Sequence, residues 1–169
     1  VNTGTLDLGT ADSGVAIDMG DGDDTLIPGG GTIITSDDID GGAGTDSVLY
    51  KGTTSNTDNE DYVFVNFESL DKKGTGSWTL GGTITGVPTV IVCDGTLTIG
   101  SGGNLADSPN LNFGGNGTMN FNEGDSSSPG MGTLTFSTGD GNVQATFTST
   151  SATLTFADVV NTIGATANF

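Results

Sequence analysis

The sequence contains no histidine and no arginine, and its three lysines are its only basic side chains. Without histidine there is no Ser-His-Asp or Cys-His catalytic arrangement and no imidazole ligand for a metal. Without arginine there is no bidentate clamp for phosphate or carboxylate groups. The net charge of -18 excludes nucleic acid and anionic membrane surfaces as natural partners, because both bind basic proteins.

Disulfides and membrane spans are also missing. Cys93 is the single cysteine and cannot form a disulfide within the chain. No apolar run approaches the roughly 20 residues that a membrane helix needs. We therefore expect no membrane insertion of this chain.

Small polar residues dominate what is present. Glycine (30), threonine (28), serine (14) and asparagine (13) together make up half of the 169 residues. Glycine and threonine are poor helix formers, and serine and asparagine favour caps and turns. This composition excludes a helical bundle.

Short alternations of apolar and polar residues recur along the chain, as in Thr96–Ile99, Thr133–Phe136 and Thr153–Phe156. Period-two patterns that are rich in β-branched residues and separated by glycine predict short, half-buried strands. The near-identical Gly-Thr-Leu-Thr strands favour a right-handed parallel β-helix, a β-solenoid in which each coil repeats the one before. A β-sandwich or jelly roll is the alternative.

A period of 22 residues supports the solenoid. At this spacing Leu26, Val48, Leu70 and Val92 are all aliphatic, and a second column is entirely acidic: Asp24, Asp46 and Glu68. We predict a single β-solenoid unit over residues 1–169. It has an acidic, turn-rich part at 1–71, which holds 15 of the 21 acids, and a threonine-rich part at 72–169.

The acidic part contains a motif with a defined chemistry. Residues 41–49, Gly-Gly-Ala-Gly-Thr-Asp-Ser-Val-Leu, match the nonapeptide G-G-x-G-x-D-x-U-x and resemble the calcium-binding turns of RTX proteins. Residues 20–26 match part of it again. Glycine corners that expose carbonyl groups, together with hard carboxylates, suit Ca²⁺. The candidate calcium ligands are Asp21, Asp23, Asp24, Gly42, Gly44 and Asp46. The alternative is that both segments are plain Gly-Asp corners.

Residues 66–80 read Asn-Phe-Glu-Ser-Leu-Asp-Lys-Lys-Gly-Thr-Gly-Ser-Trp-Thr-Leu. This segment resembles the passenger-associated repeat of bacterial autotransporters, N-F-E-x-L-x-K-x-G-x-G-x-W-T-L, and the likeness extends over about residues 20–100. The resemblance implies a β-helix that is secreted or displayed on a bacterial surface as an adhesin or stalk. The membrane-embedded domain of that family is not recognised here, so we expect an excised passenger or a freestanding secreted relative.

Within this segment Trp78 is expected in the core, and Lys72 and Lys73 are expected to pair with Asp71 and Glu68. Cys93 follows an apolar run and is expected to be buried.

The functional expectation is a non-enzymatic structural or adhesive protein of the bacterial cell surface or extracellular space, stabilised by Ca²⁺, that contacts a host or matrix ligand. The main alternative is a subunit of an extracellular filament that binds copies of itself end to end. Two minor alternatives are an ice-binding protein, suggested by Thr-x-Thr tripeptides whose spacing is uneven, and a polysaccharide-degrading β-helix enzyme, for which the acids would have to leave the corners and line a cleft.

Overall fold

The computed structural model describes residues 5–7, 17–29, 38–122, 130–146 and 153–169. Within these ranges the chain is all-β, with no helix, and every paired strand runs parallel to its neighbours. The predicted parallel β-solenoid is therefore confirmed. The described residues contain no helix long and apolar enough to cross a membrane.

The strands form three parallel sheets. Sheet 1 has eight strands: β1 (Thr5–Asp7), β3 (Thr25–Ile27), β5 (Ser47–Tyr50), β8 (Ser69–Lys72), β11 (Thr89–Val92), β14 (Asn110–Phe113), β16 (Gly130–Phe136) and β18 (Thr155–Asn161). Sheet 2 has six: β6 (Asn56–Asp58), β9 (Ser77–Leu80), β12 (Thr96–Ile99), β15 (Thr118–Phe121), β17 (Asp140–Ala145) and β19 (Thr166–Asn168). Sheet 3 has five: β2 (Ile17–Asp18), β4 (Asp38–Asp40), β7 (Tyr62–Val65), β10 (Thr83–Thr85) and β13 (Asn104–Leu105).

From β5 to β13 the chain visits sheets 1, 2 and 3 in turn and then begins again, so three strands and three corners make one coil. In strands such as β5, β9 and β12 alternate residues are buried, and the buried residues of all three sheets form one apolar core. Trp78 lies in this core, as predicted. Sheet 1 continues across the boundary between the acidic and threonine-rich parts, because β8 contains both Asp71 and Lys72.

The aliphatic column of sheet 1 confirms most of the predicted register. Leu26 pairs with Val48, and Val48 pairs with Leu70. The next partner of Leu70 is Val90 rather than the predicted Val92, because this coil contains 20 residues instead of 22. Coil length therefore varies while the apolar column continues.

Two aromatic rings stack in the core in the C-terminal half of the described chain. Phe113 and Phe136 lie parallel, with ring centroids 5.1 Å apart. Gly141 faces both rings, and a Cβ atom built there would lie 2.6 Å from a ring atom of each. The absence of a side chain at position 141 is what lets the two rings stack.

Gly141→Ala should therefore lower the free energy of unfolding by about 1–3 kcal/mol, the usual cost of overpacking a core. Urea unfolding followed by tryptophan fluorescence and circular dichroism would measure it. Gly130→Ala is the matched control, because a Cβ atom there meets only the Ser108 hydroxyl, at 3.7 Å. Equal losses in both variants would contradict this account of the ring stack.

Candidate functional site

The two Gly-Asp segments predicted to bind calcium form successive corners that lie one above the other. Asp21 and Ala43 form an isolated parallel bridge. The Gly22 amide donates to the Ala43 carbonyl at 2.7 Å, and the Ala43 amide donates to the Gly20 carbonyl at 3.1 Å. Backbone hydrogen bonds thus join the two corners directly.

The candidate glycines make this close approach possible. Gly42 and Gly44 both have positive φ angles, at 93° and 155°. A Cβ atom at Gly42 would lie 1.8 Å from the Gly20 carbonyl oxygen, and one at Gly44 would lie 2.1 Å from that of Gly22. Any larger residue at either position would push the coils apart.

The carboxylates of this corner accept hydrogen bonds from the backbone of the neighbouring coil. Asp23 Oδ1 accepts the Thr45 amide at 2.9 Å, and Asp46 Oδ1 accepts the Asp24 amide at 2.8 Å. The Glu68 carboxylate accepts the Asp46 amide. The predicted acidic column is therefore confirmed as a hydrogen-bonded ladder of side chain to backbone.

Asp46 is the central carboxylate of the acidic column and is fully buried. Its second oxygen, Oδ2, is buried without a hydrogen-bond partner. Burial raises the pKa of Asp46, and the negative charges of Glu68, Asp24 and Asp23 raise it further, while the hydrogen bond from the Asp24 amide opposes this. The Asp46 charge is thus held in an unfavourable environment.

The structure brings Asp23, Asp24 and Asp46 together with Glu68, and it stacks Gly42 and Gly44 on the corner below. Asp21 joins this group through its backbone, and its side chain is exposed. Across the ranges that the structure describes, no three acidic, histidine or cysteine side chains converge to hold a metal ion. Calcium binding stays a prediction.

Sequence reasoning missed a buried polar cluster inside the coil formed by β5, β6 and β7. Asp58 accepts hydrogen bonds from the hydroxyls of Tyr50 at 3.1 Å and Tyr62 at 3.0 Å, and from the Glu60 amide at 3.2 Å. Burial raises the pKa of Asp58, and these three hydrogen bonds oppose the rise. Strand alternation predicts that both tyrosines point inward, but it does not predict that Asp58, on a different sheet, is their partner.

The lysine pair differs from its prediction. Lys73 forms the expected ion pair with Asp71, at 2.6 Å. Lys72 pairs with neither Asp71 nor Glu68; it is buried and donates to backbone carbonyls instead. The strand alternation explains the correction, because Lys72 occupies an inward position between Tyr50 and Val92 of neighbouring strands. Cys93, expected to be buried, is only partly buried.

The outer surface of sheet 2 carries two uncharged polar columns, which we call the polar face. One column follows the pairing Ser77, Thr96, Thr118, Asn142 and Asn168, and the other follows Thr57, Thr79, Thr98, Asn120 and Gln144. Neighbouring strands lie about 4.8 Å apart, so hydroxyl and amide groups repeat along the solenoid at that interval. Within the described residues this is a regular array of uncharged hydrogen-bonding groups.

The Thr-x-Thr tripeptides do not form a surface of their own. Thr83–Thr85 lies on sheet 3, Thr96–Ile99 on sheet 2, and Thr133 and Thr135 on sheet 1. Of these three tripeptides, only the one in Thr96–Ile99 contributes to the polar face. Thr148 of a further tripeptide lies outside the described residues.

No protein-family model matches the chain, and neither the curated proteins nor the solved structures that were compared with it include a match.

The acidic column predicts a pH dependence of stability. The pKa of Asp46 is raised on folding, so its unfavourable contribution is absent below the unfolded pKa of about 3.9 and is complete above the folded pKa. Asp46→Asn keeps an oxygen acceptor for the Asp24 amide and removes the charge. We expect this variant to gain stability relative to wild type as pH rises from 3.5 to 7, because only the wild type acquires the buried charge.

Urea unfolding at several pH values would measure this difference. Asp140→Asn, which removes an exposed charge at the start of β17, is the control, and the trend in Asp46→Asn should exceed any trend in this variant. A stability loss in Asp46→Asn that is the same at every pH would contradict the electrostatic explanation.

Proposed function

We propose that this chain is a non-catalytic structural and adhesive module of a bacterial surface or extracellular matrix, and that the polar face is its adhesive surface. The observation that supports this most is the pair of uncharged columns in a protein of net charge -18. The absence of histidine and arginine from the sequence supports a non-catalytic role. The likeness of residues 66–80 to autotransporter passengers supports the location.

The chemistry of the polar face suits a neutral polymer with regularly spaced hydroxyl groups. Threonine, serine, asparagine and glutamine offer both donors and acceptors, whereas a carboxylate accepts only. The outward side chains of a strand lie about 7 Å apart along the chain and about 4.8 Å apart across the sheet. A repeated ligand can therefore form the same weak hydrogen bond at many positions, which gives avidity without a deep pocket. We propose a neutral matrix or host polysaccharide as the ligand class.

Calcium is proposed as a stabiliser of the acidic corner. Its support is the unpartnered Oδ2 of Asp46 beside the charges of Asp23, Asp24 and Glu68. A divalent cation near these groups would reduce their repulsion. This role is structural and independent of adhesion.

Adhesion can be tested by sedimentation with insoluble neutral polysaccharides such as cellulose and chitin. We expect the wild-type chain to sediment with at least one of them, and Thr98→Lys to weaken binding by about tenfold or more, because a long charged side chain in the polar face holds the polymer away. Thr135→Lys is the matched control, a half-buried threonine that also points outward but lies on sheet 1.

Failure of the wild type to bind any neutral polysaccharide would contradict the proposed ligand class. Equal loss in both lysine variants would contradict the assignment of the polar face. A thermal hysteresis gap that is lost only in Thr98→Lys would instead favour the ice-binding alternative.

A second candidate function, a subunit of a filament, is favoured by the last described coil. Val159 continues the apolar column after Leu111 and Leu134, both of which are fully buried, yet it is 53% exposed. Phe169, whose ring lies edge-on to that of Phe136 with centroids 6.0 Å apart, is 80% exposed, and it lines an open groove of about 540 Å³ together with residues 142–146 and Asn168. We propose that a second copy can cover this coil, with its β1 pairing with β18, because Leu6 begins the same column.

Filament formation predicts long fibres of uniform width in negative-stain microscopy of the purified chain. Val159→Asp should abolish them by placing a charge in the apolar column. Val160→Asp is the matched control, since Val160 is its exposed neighbour and lies in the outward column. Loss of fibres in EGTA, with recovery in millimolar CaCl₂, would connect assembly to the acidic corner. Short discrete particles under both conditions would overturn this second candidate.

A further inference from the structure

Lys72 is a fully buried basic side chain in the described part of the chain. This residue is 0% exposed, and its aliphatic stem occupies an inward position of β8 between Tyr50 and Val92. Its head leaves the apolar core and ends in the corner that joins sheets 1 and 2. A buried lysine is retained only when its hydrogen bonds are satisfied, because an unpaired buried charge is very costly.

Three backbone carbonyls surround this ammonium. Lys72 Nζ donates to the carbonyl oxygens of Gly74 at 2.6 Å, Asp94 at 3.0 Å and Lys73 at 3.2 Å. An ammonium group has three N–H donors, so each can be used. The ion pair of this region is formed by Lys73 with Asp71, and among the described residues no carboxylate lies within ion-pair distance of Lys72.

The acceptors come from two successive coils. Lys73 and Gly74 belong to one corner and Asp94 to the corner above it, so the ammonium joins them. Gly95 completes the enclosure, with a positive φ of 65°. A Cβ atom at Gly95 would lie 2.8 Å from Lys72 Nζ and 2.5 Å from the Gly74 oxygen. The upper corner is therefore closed tightly over the charged group.

Converging carbonyl oxygens are the ligands by which proteins hold monovalent cations without a counter-charge. We propose that the carbonyls of Lys73, Gly74 and Asp94 form a cation-binding site for a primary ammonium ion, filled in the native chain by the Lys72 side chain itself. Shortening Lys72 opens this site to a free alkylammonium ion. The inference is independent of the proposed adhesive function, since the site lies in a corner and not on the polar face.

The test is chemical rescue of Lys72→Ala. Alanine keeps Cβ, so the missing fragment corresponds to n-propylammonium. We expect the variant to melt roughly 10 °C below wild type, because three carbonyls lose their donor and the inward position of the lysine stem is left empty. Added n-propylammonium chloride should raise the melting temperature of this variant by several degrees and with saturation. Tetramethylammonium chloride at the same concentration, which has no N–H donor, should not.

Three controls isolate the site. The wild type and Lys51→Ala, which removes an exposed lysine, should respond equally to the two salts. Neutral 1-propanol tests whether the charge is required, and it should give less rescue than n-propylammonium. An equal response of Lys72→Ala to all three additives would overturn the proposal.

A second measurement uses the wild type, in case Lys72→Ala does not fold. Proton–nitrogen correlation spectra of lysine ammonium groups detect only those that exchange slowly with water. We expect one slowly exchanging ammonium, which disappears in Lys72→Met, while Lys51 and Lys73 exchange too quickly to be seen. Exchange of Lys72 as fast as that of Lys51 would also overturn the proposal.

Discussion

Parallel pairing of each coil with the next is the interaction on which the rest of this structure depends. It places each paired strand residue about 4.8 Å from a residue 19 to 26 positions later. A side chain must therefore be compatible with whatever stands in the same column above and below it. Aliphatic columns meet this condition easily, and the buried column through Leu26, Val48, Leu70 and Val90 forms the core.

A column of charged side chains is compatible with this stacking only when the charged groups form hydrogen bonds. Asp46 and Glu68 stack with like charges close together, yet each also accepts an amide from the coil before it. The hydrogen bond from the Asp24 amide offsets part of the cost of burying the Asp46 charge beside other acids. The pKa of Asp46 is still raised, because burial and the neighbouring negative charges outweigh that hydrogen bond. Two other buried charges have different partners. Asp58 accepts hydrogen bonds from two tyrosine hydroxyls, and Lys72 donates to three backbone carbonyls.

The sequence alone predicts the parts of the fold that repeat and misses those that depend on coil length. A period of 22 finds Val48 and Leu70 but selects Val92 over Val90, since one coil is two residues shorter. Lys72 reads as a surface residue because lysine is seldom buried. Its inward position follows from strand alternation. The carbonyls that accept its hydrogen bonds belong to two different corners, and the sequence does not predict that these corners lie together. The acidic column of Asp24, Asp46 and Glu68 could be predicted, because the coils that contain it keep the period of 22 residues.

The distribution of charge separates the two candidate functions physically. The two columns of the polar face contain hydroxyl and amide groups and no carboxylate, so a neutral polymer bound along them dehydrates only uncharged groups of these columns. End-to-end stacking is different, because it brings together chains that each carry a net charge of -18. Such assembly must overcome long-range repulsion that salt or divalent cations screen. Adhesion through the polar face is therefore compatible with the charge of the chain as it stands, whereas a filament requires counterions.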